Sequence, residues 1–180
     1  GAAPAYKQRH QNLRLISNGY RNAIGIVVRA DSDIKTPADL KGKRVTGVFS
    51  AHKTCAKLAS ATIANAGLTW DDVKVVPVTS TVPSIRALAE GRADAALCGA
   101  IGVAVLKEVN AQVPLRFVSL DASPAAEERA QAVFTGGRIA KAAKGSDEAV
   151  LEDTDMFEYD FYLVGGKQVS DELVTKILNV

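Results

Sequence analysis

Between residues 38 and 150 short apolar runs alternate with capped helical stretches, joined by connections of only a few residues. "RVTGV" (44–48) reads as a strand and "KTCAKLASATIANAG" (53–67) as a helix. Leu58, Thr62, Ile63 and Ala66 share the helix's inner face, and Gly67 stands at its C-terminal cap. "VKVVPV" (73–78) is the next strand, followed by the helix "STVPSIRALAEG" (80–91) with Ser80 at its N-cap. Val82, Ile85, Leu88 and Ala89 face inward there, and Gly91 ends it. A short buried strand "ADAAL" (93–97), a helical "AIGVAVLKEV" (100–109) and a strand "LRFVSL" (115–120) continue the pattern. Ser123 and Pro124 open another helix, since proline is tolerated at a first helical position. Upstream, Thr36, Pro37 and Asp39 form a capping box.

Nearly continuous apolar strands alternating with helices predict a mostly parallel sheet covered on both faces, a three-layer α/β sandwich with right-handed crossovers. Two further strands bracket it, "AIGIVVRAD" (23–31) and "EYDFYLVGG" (158–166), and are expected to lie close together. The second leads into a helix capped by Ser170, with Leu173, Ile177 and Leu178 turned inward. Two strands leading out of one compact unit suggest the double hinge of a two-lobed protein.

Composition excludes several function classes. Of the 180 residues, 47% are apolar and 23% charged, enough for a core. The net charge of +2, with acids and bases interspersed, leaves no footprint for nucleic acid and no polybasic membrane patch. No apolar run is long enough for a bilayer, and the opening "GAAPAYKQRHQN" is not a signal peptide. Cys55 and Cys98 give no disulfide framework and read as free, small, buried side chains. His52 and Cys55, at i and i+3, are half a zinc site, and the only other histidine is distant His10. A nucleophile would have to come from Cys55 or Cys98 with His52, without a third orienting group, and "LKGKR" precedes a strand where a nucleotide loop opens a helix. No catalytic residue, metal or cofactor is expected.

In open α/β sheets ligands sit beyond the carboxyl ends of the strands. Three such ends are expected: "FSAHKT" (49–54), "VTSTVPS" (78–84) and "CGAIG" (98–102). Each should offer free backbone N–H groups and the positive end of a helix dipole, suited to a carboxylate or another small anion. The candidate ligand-binding residues are Ser50, His52, Lys53, Thr54, Thr79, Ser80, Thr81, Cys98 and Gly99, with Gly102 permitting close approach. Ser50 reads equally as a cap or as a ligand donor. Tyr20, Tyr159 and Phe161 either wall a cleft or belong to the core, and Asp121 is either an amine or water partner or a turn residue.

The segments "ADSDIKTPADLKGKRVTGV", "AGLTWDDVKVV", "LAEGRADAALCG", "LRFVSLD" and "FYLVGGKQVSDELVTKIL" occur in the order seen in type II periplasmic substrate-binding proteins. "DLKGKRV" and "EGRADAA" are shared broadly by that fold. With "GYRNAIGIVVRADSDI", the chain most resembles the TAXI family, the solute receptors of TRAP transporters, over about residues 13–180. Where those receptors often carry a glycine-containing turn after the first strand of lobe two, this chain has "SAHKT". The resemblance implies an excised second lobe, with residues 1–31 a remnant of lobe 1 and the first hinge strand, 32–157 lobe 2, and 158–180 the second hinge strand and the return to lobe 1. Gly1 is the position where an expression remnant would stand. It implies a monomeric extracytoplasmic (periplasmic) receptor that captures a small organic anion, a carboxylate or amino acid. Membrane subunits of a TRAP transporter are its implied partner, and nucleic acid is not. The alternative of another class is an effector-sensing domain of a transcriptional regulator with the same fold.

Overall fold

The computed structural model describes residues 11–179, so Gly1 and His10 lie outside the described residues. Its spine is β1 (Leu13–Arg29), far longer than the apolar run 23–31 suggested. Along its inner half Ile24, Ile26 and Val28 enter one core and Val27 the other, as a period of two requires. On one edge β1 pairs antiparallel with β4 (Ala95–Ala100). On the other it pairs antiparallel with β7 (Thr154–Gly166) from Leu13 to Ile24, then with β5 (Leu115–Val118) from Ile26 to Arg29. The two flanking strands are therefore direct neighbours.

Beyond β4, β2 (Arg44–Val48) and β3 (Lys74–Val78) add parallel strands, and β6 (Gly137–Ala142) adds an antiparallel edge to β7. The order is β3-β2-β4-β1-β7-β6, with β5 beside β1. The α/β class holds, but the sheet is mixed: parallel pairing is confined to β3-β2-β4. The expectation of a mostly parallel sheet came from local apolar runs, which look alike in a parallel strand and in an antiparallel strand buried on both faces. Pro77 is tolerated in β3 because that strand is an edge.

From β2 the chain runs through α1 (Lys53–Asn65) to β3 on one side, then through α2 (Thr81–Ala89) past β2 to β4 on the other. Right-handed crossovers taken in opposite directions must use opposite faces. Leu58 and Ala59 of α1, with Ala130 of α4 (Pro124–Val133), accordingly pack on Ile24, Val45, Phe49 and Phe157. Ile85 and Leu88 of α2, with Leu106 and Val109 of α3 (Ala104–Asn110), pack on Val27, Ala96, Phe117 and Met156. Val82 does not face inward as expected; it is exposed, and Ser84 is buried in its place. Strand order reverses between β2 and β4, the topological switch point where a crevice forms in such sheets.

β2 and β4 pair in register only at Val45 and Ala95. Just beyond, the Leu97 N–H donates to Oγ1 of Thr46 at 3.0 Å, and that hydroxyl lies 2.7 Å from Ser84 Oγ. A threonine hydroxyl thus takes up a sheet amide where the two strands part, fully buried.

Local signals are as expected at the helix ends. The Thr36–Asp39 capping box is present, and a second one joins Thr69 to Asp72. Ser123 and Ser170 accept N–H groups from their first helical turns. Gly67 and Gly91 adopt φ near +69° and +66° at the ends of α1 and α2. In α5 (Asp171–Leu178), however, Leu173, Ile177 and Leu178 are 49%, 41% and 52% exposed, contrary to the inward packing expected. They share this exposure with Leu13, Leu15, Tyr162 and Val164 of the outer β1–β7 ribbon. A local pattern marks a face as apolar without supplying the surface that covers it.

Candidate functional site

At the end of β2 the backbone leaves the strand through a tight turn. The Phe49 N–H donates to the Gly47 carbonyl at 2.8 Å across Val48, whose φ is +69°. This is a γ-turn with the rarer hand at its central residue. Phe49 follows at φ +46° and is fully buried, whereas Val48 is exposed. Cys98, in β4 next door, has φ +62°. These are the described residues other than glycine with positive φ, and all three sit at the carboxyl ends of the two strands flanking the switch point. Left-handed backbone costs such residues about 1–2 kcal/mol each, so surrounding contacts must hold it.

Those contacts are specific. The Ser50 N–H donates to the Val78 carbonyl at 3.2 Å, the Ala51 N–H to the Thr79 carbonyl at 3.0 Å, and the His52 N–H to the Phe49 carbonyl at 2.9 Å. The expectation that this loop presents its amides to a ligand therefore needs correction: those of Ser50 and Ala51 stitch it to the end of β3 and the loop beyond, and that of His52 closes the loop on itself. The amides left without partners lie one turn further on, at Lys53, Thr54 and Cys55 of α1, whose N-cap His52 makes no side-chain cap bond. At α2 the Thr81 and Val82 amides are likewise without partners, Pro83 has no N–H, and Ser80 holds the N-cap position without bonding from its side chain.

The cysteines require a second correction. Cys55 and Cys98 form a disulfide, with Cα atoms 5.6 Å apart. Their 43-residue separation carries no hint of this. Two crossovers, β2–α1–β3 and β3–α2–β4, bring the first turn of α1 onto the end of β4. With no thiol hydrogen on Cys55, the Thr81 hydroxyl is the donor in its 3.3 Å contact with Cys55 Sγ. Ser50, His52, Lys53, Thr54, Thr79, Ser80 and Thr81 are thus gathered around the α1 N-terminus, with Cys98 attached from beneath through its sulfur.

Gly99 stands apart. β4 extends to Ala100, so Cys98 and Gly99 are buried strand residues and not the loop expected at 98–102. A Cβ at Gly99 would lie 2.2 Å from Val27 Cγ2, so its glycine serves the contact between β4 and β1. The loop that does follow β4 is closed: the Gly102 N–H donates to Asp147 Oδ2 at 2.9 Å. A shallow recess of about 230 Å³ opens there among Gly102, Val103, Ala104, Lys107, Asp147 and Glu148, but Lys107 and Glu148 pair across it at 3.4 Å.

Asp121 is a turn residue. The Ser123 N–H holds its carboxyl below the usual carboxylate range, and its main chain is clamped to Asn65 at 2.8 and 3.1 Å. Asn65 ends α1, about 18 Å along the helix from its N-terminus at 1.5 Å per residue, so Asp121 is held at the opposite end of α1 from the candidate site. Tyr159 is buried, and its hydroxyl accepts from Asn22 Nδ2 at 2.9 Å; burial pushes that phenol up. Phe161 and Tyr20 extend the aromatic ladder outward, stacked at 4.8 Å and 40% and 65% exposed. Sequence reasoning missed the Asn22–Tyr159 contact, which depends on β1–β7 register. Among the described residues no group of three or more His, Cys, Asp or Glu is placed to hold a metal, and no helix is long and apolar enough to cross a membrane.

A family model described as NMT1/THI5 like matches residues 5–144. Among solved structures, the R. palustris protein Rpa4515, solved with adipate, has a TM-score of 0.56 at 14% identity, over 93% of this chain and 52% of that one. The sulfonate-binding protein from Methylobacillus flagellatus, described as putative, scores 0.49 at 16% identity over 93% of this chain and 39% of its own. The aliphatic sulphonate binding protein from Escherichia coli scores 0.46 at 18% identity over 83% and 41%. The first of these shares the fold, and the chain spans about two fifths to one half of the length of the three.

Proposed function

The chain belongs to the NMT1/THI5-like family, and from that premise we propose that it is one lobe of an extracytoplasmic solute-binding receptor. In this reading the lobe holds a small organic anion, a carboxylate or amino acid, at the carboxyl ends of β2 and β3, and the full receptor passes it to a membrane transporter. One observation carries it: the partnerless amides of Lys53, Thr54, Cys55, Thr81 and Val82 open two neighbouring helices beside the switch point. Helix N-termini favour anions through their amides and dipole. The exposed Ser50, Thr54 and Thr79 hydroxyls and the Lys53 ammonium surround them. The other cleft wall belongs to the remainder of a longer receptor, which the paired strands β1 and β7 join as a two-stranded hinge. The exposed apolar residues of the outer ribbon and α5 suit burial by that lobe. A TRAP-type transporter as the partner rests on the resemblance to TAXI receptors in "GYRNAIGIVVRADSDI" and "LRFVSLD".

The test is a thermal-shift and calorimetry panel of dicarboxylates, amino acids and alkanesulfonates on the full-length receptor. One carboxylate or amino acid is expected to raise Tm through selective binding to the folded state. Ser50→Ala with Lys53→Gln, both exposed, should weaken that binding about tenfold or more, as charge-assisted contacts are lost. Stabilisation by sulfonates alone would replace the ligand class. Equal affinity in the variant would remove this loop from the site.

A further inference from the structure

The Cys55–Cys98 bridge lies where the three segments of the candidate site meet. Cys55 is in the first turn of α1, which β2 feeds through the left-handed residues Val48 and Phe49. Cys98 is itself left-handed and belongs to β4. The Thr81 hydroxyl, at the first turn of α2, donates to Cys55 Sγ. One cystine therefore joins the segments after β2 and β3 to the end of β4. Both cysteines are about 2% exposed, and the Cβ-bearing residue with φ +62° occupies one end of the bridge. Local preference opposes that backbone, so the cross-link is among the contacts that hold it.

We propose that this disulfide is a positioning element of the candidate site, and that the hydrogen-bonded seam between the two loops keeps its geometry only in the oxidised chain. The bond forms by exchange with a disulfide-bearing oxidant. One cysteine thiolate attacks the oxidant's S–S bond to give a mixed disulfide and release one thiolate. The second cysteine thiolate then attacks the chain's own sulfur in that mixed disulfide and expels the other. The two thiol protons of the chain end on the two thiols of the reduced oxidant, and two electrons pass to it. Because both sulfurs are buried in the folded chain, exchange takes place before α1 closes onto β4, and the finished bond is shielded from reductants. The chain accordingly matures in an oxidising compartment. The proposal concerns the ligand-free protein, so it stands or falls separately from the receptor reading.

Two measurements on the chain test it. Wild-type protein made in an oxidising compartment is unfolded without reductant, alkylated and weighed; no alkylated thiol is expected, and two would overturn the proposal. Amide hydrogen exchange is then compared between wild type and Cys55→Ala/Cys98→Ala. The Ser50, Ala51 and Ile101 amides, which donate to Val78, Thr79 and Ala23, should exchange about tenfold faster in the variant. Those of β1 paired with β5 should stay within about twofold. Unchanged exchange at the seam, or an equal rise throughout, would show a bond that does not position these loops. Thr81→Val keeps the disulfide and removes the hydroxyl, so it serves even if the double variant does not fold. Its exchange should rise severalfold at Ala51 and Ser84 alone, and no rise there would break the three-segment linkage.

Discussion

Gly99→Ala adds one methyl group at a position whose φ does not demand glycine, so its cost measures space alone. The new Cβ would stand 2.2 Å from Val27 Cγ2, 3.4 Å from Val27 Cβ and 3.5 Å from the Gly25 carbonyl oxygen. Only the first of these is impossible, and it falls short of ordinary contact by more than 1 Å. Val27 has little room to yield. It is fully buried among Ile85, Leu88 and Phe117, and its branched Cβ restricts χ1. Overpacking of this kind costs ~1–3 kcal/mol, and the depth of the clash puts Gly99→Ala near the upper end. For a chain of this length ~3 kcal/mol lowers Tm by about 6–12 °C. Urea unfolding should show the same loss through the midpoint with an unchanged slope.

The decisive measurement is the cycle with Val27→Ala. That change alone should cost about 2 kcal/mol, because it empties a buried site. In the double variant the offending Cγ2 is gone and the remaining Cβ–Cβ approach of 3.4 Å is tolerable. The double variant should therefore be more stable than the sum of the single effects by about 2 kcal/mol, within the range seen for touching residues. Strict additivity, or a Gly99→Ala cost under about 0.5 kcal/mol, would refute the packing account and reopen Gly99 as a ligand-facing residue.

Thr46→Val should lose about 2–3 kcal/mol by chemical denaturation, since it leaves the buried Leu97 N–H without an acceptor; Thr46→Ser should recover most of it. Asp94→Asn probes acid stability. The Arg44 guanidinium, followed by the Arg44 main-chain N–H, holds the Asp94 carboxyl below its usual range. A carboxyl whose folded pKa is depressed contributes stability above its unfolded value of ~3.9, and that contribution is lost as pH falls through the folded value. The wild-type advantage over Asp94→Asn should be about 1 kcal/mol at pH 7, discounted for partial exposure, and should disappear as pH falls below the unfolded value of ~3.9 and through the depressed folded one. A difference that persists undiminished in acid would assign the effect to hydrogen bonding by the neutral side chain.

What was legible in the sequence was local. Thr36 with Asp39, Ser123 with Pro124, and Gly67 and Gly91 each announce a helix end through contacts within a few residues, and each is found there. The paired flanking strands were also legible, because apolar runs bracketing a compact unit have few other places to go. Strand direction was not: the inner half of β1 is apolar like the parallel strands β2 and β4, and only the chain path makes it antiparallel to β4. The cystine was hidden for the same reason, since residues 43 apart meet only through two crossovers. In α5 the apolar stripe was legible and its packing was not, because Leu173 and Ile177 have no described neighbour to bury them.

The candidate site divides along the same line. The proposal of a ligand at the ends of β2 and β3 rests on the sheet's order, and the loops there are joined through the Ser50 and Ala51 amides to Val78 and Thr79. Which amides remain to meet a ligand depends on tertiary hydrogen bonds. Val48 and Phe49 take left-handed backbone at a local cost, and the chain then turns so that the Ser50 and Ala51 amides reach the carbonyls of Val78 and Thr79. A relaxed backbone would leave those two amides in water and the two loops unconnected. The strain thus exchanges two anion donors for a rigid seam, and it moves the remaining donors one helical turn onward, to Lys53, Thr54 and Cys55. In the proposed site, donors fixed on a helix that is itself tied to β4 would lose little freedom on meeting an anion, an advantage that two additional amides on a mobile loop would not supply.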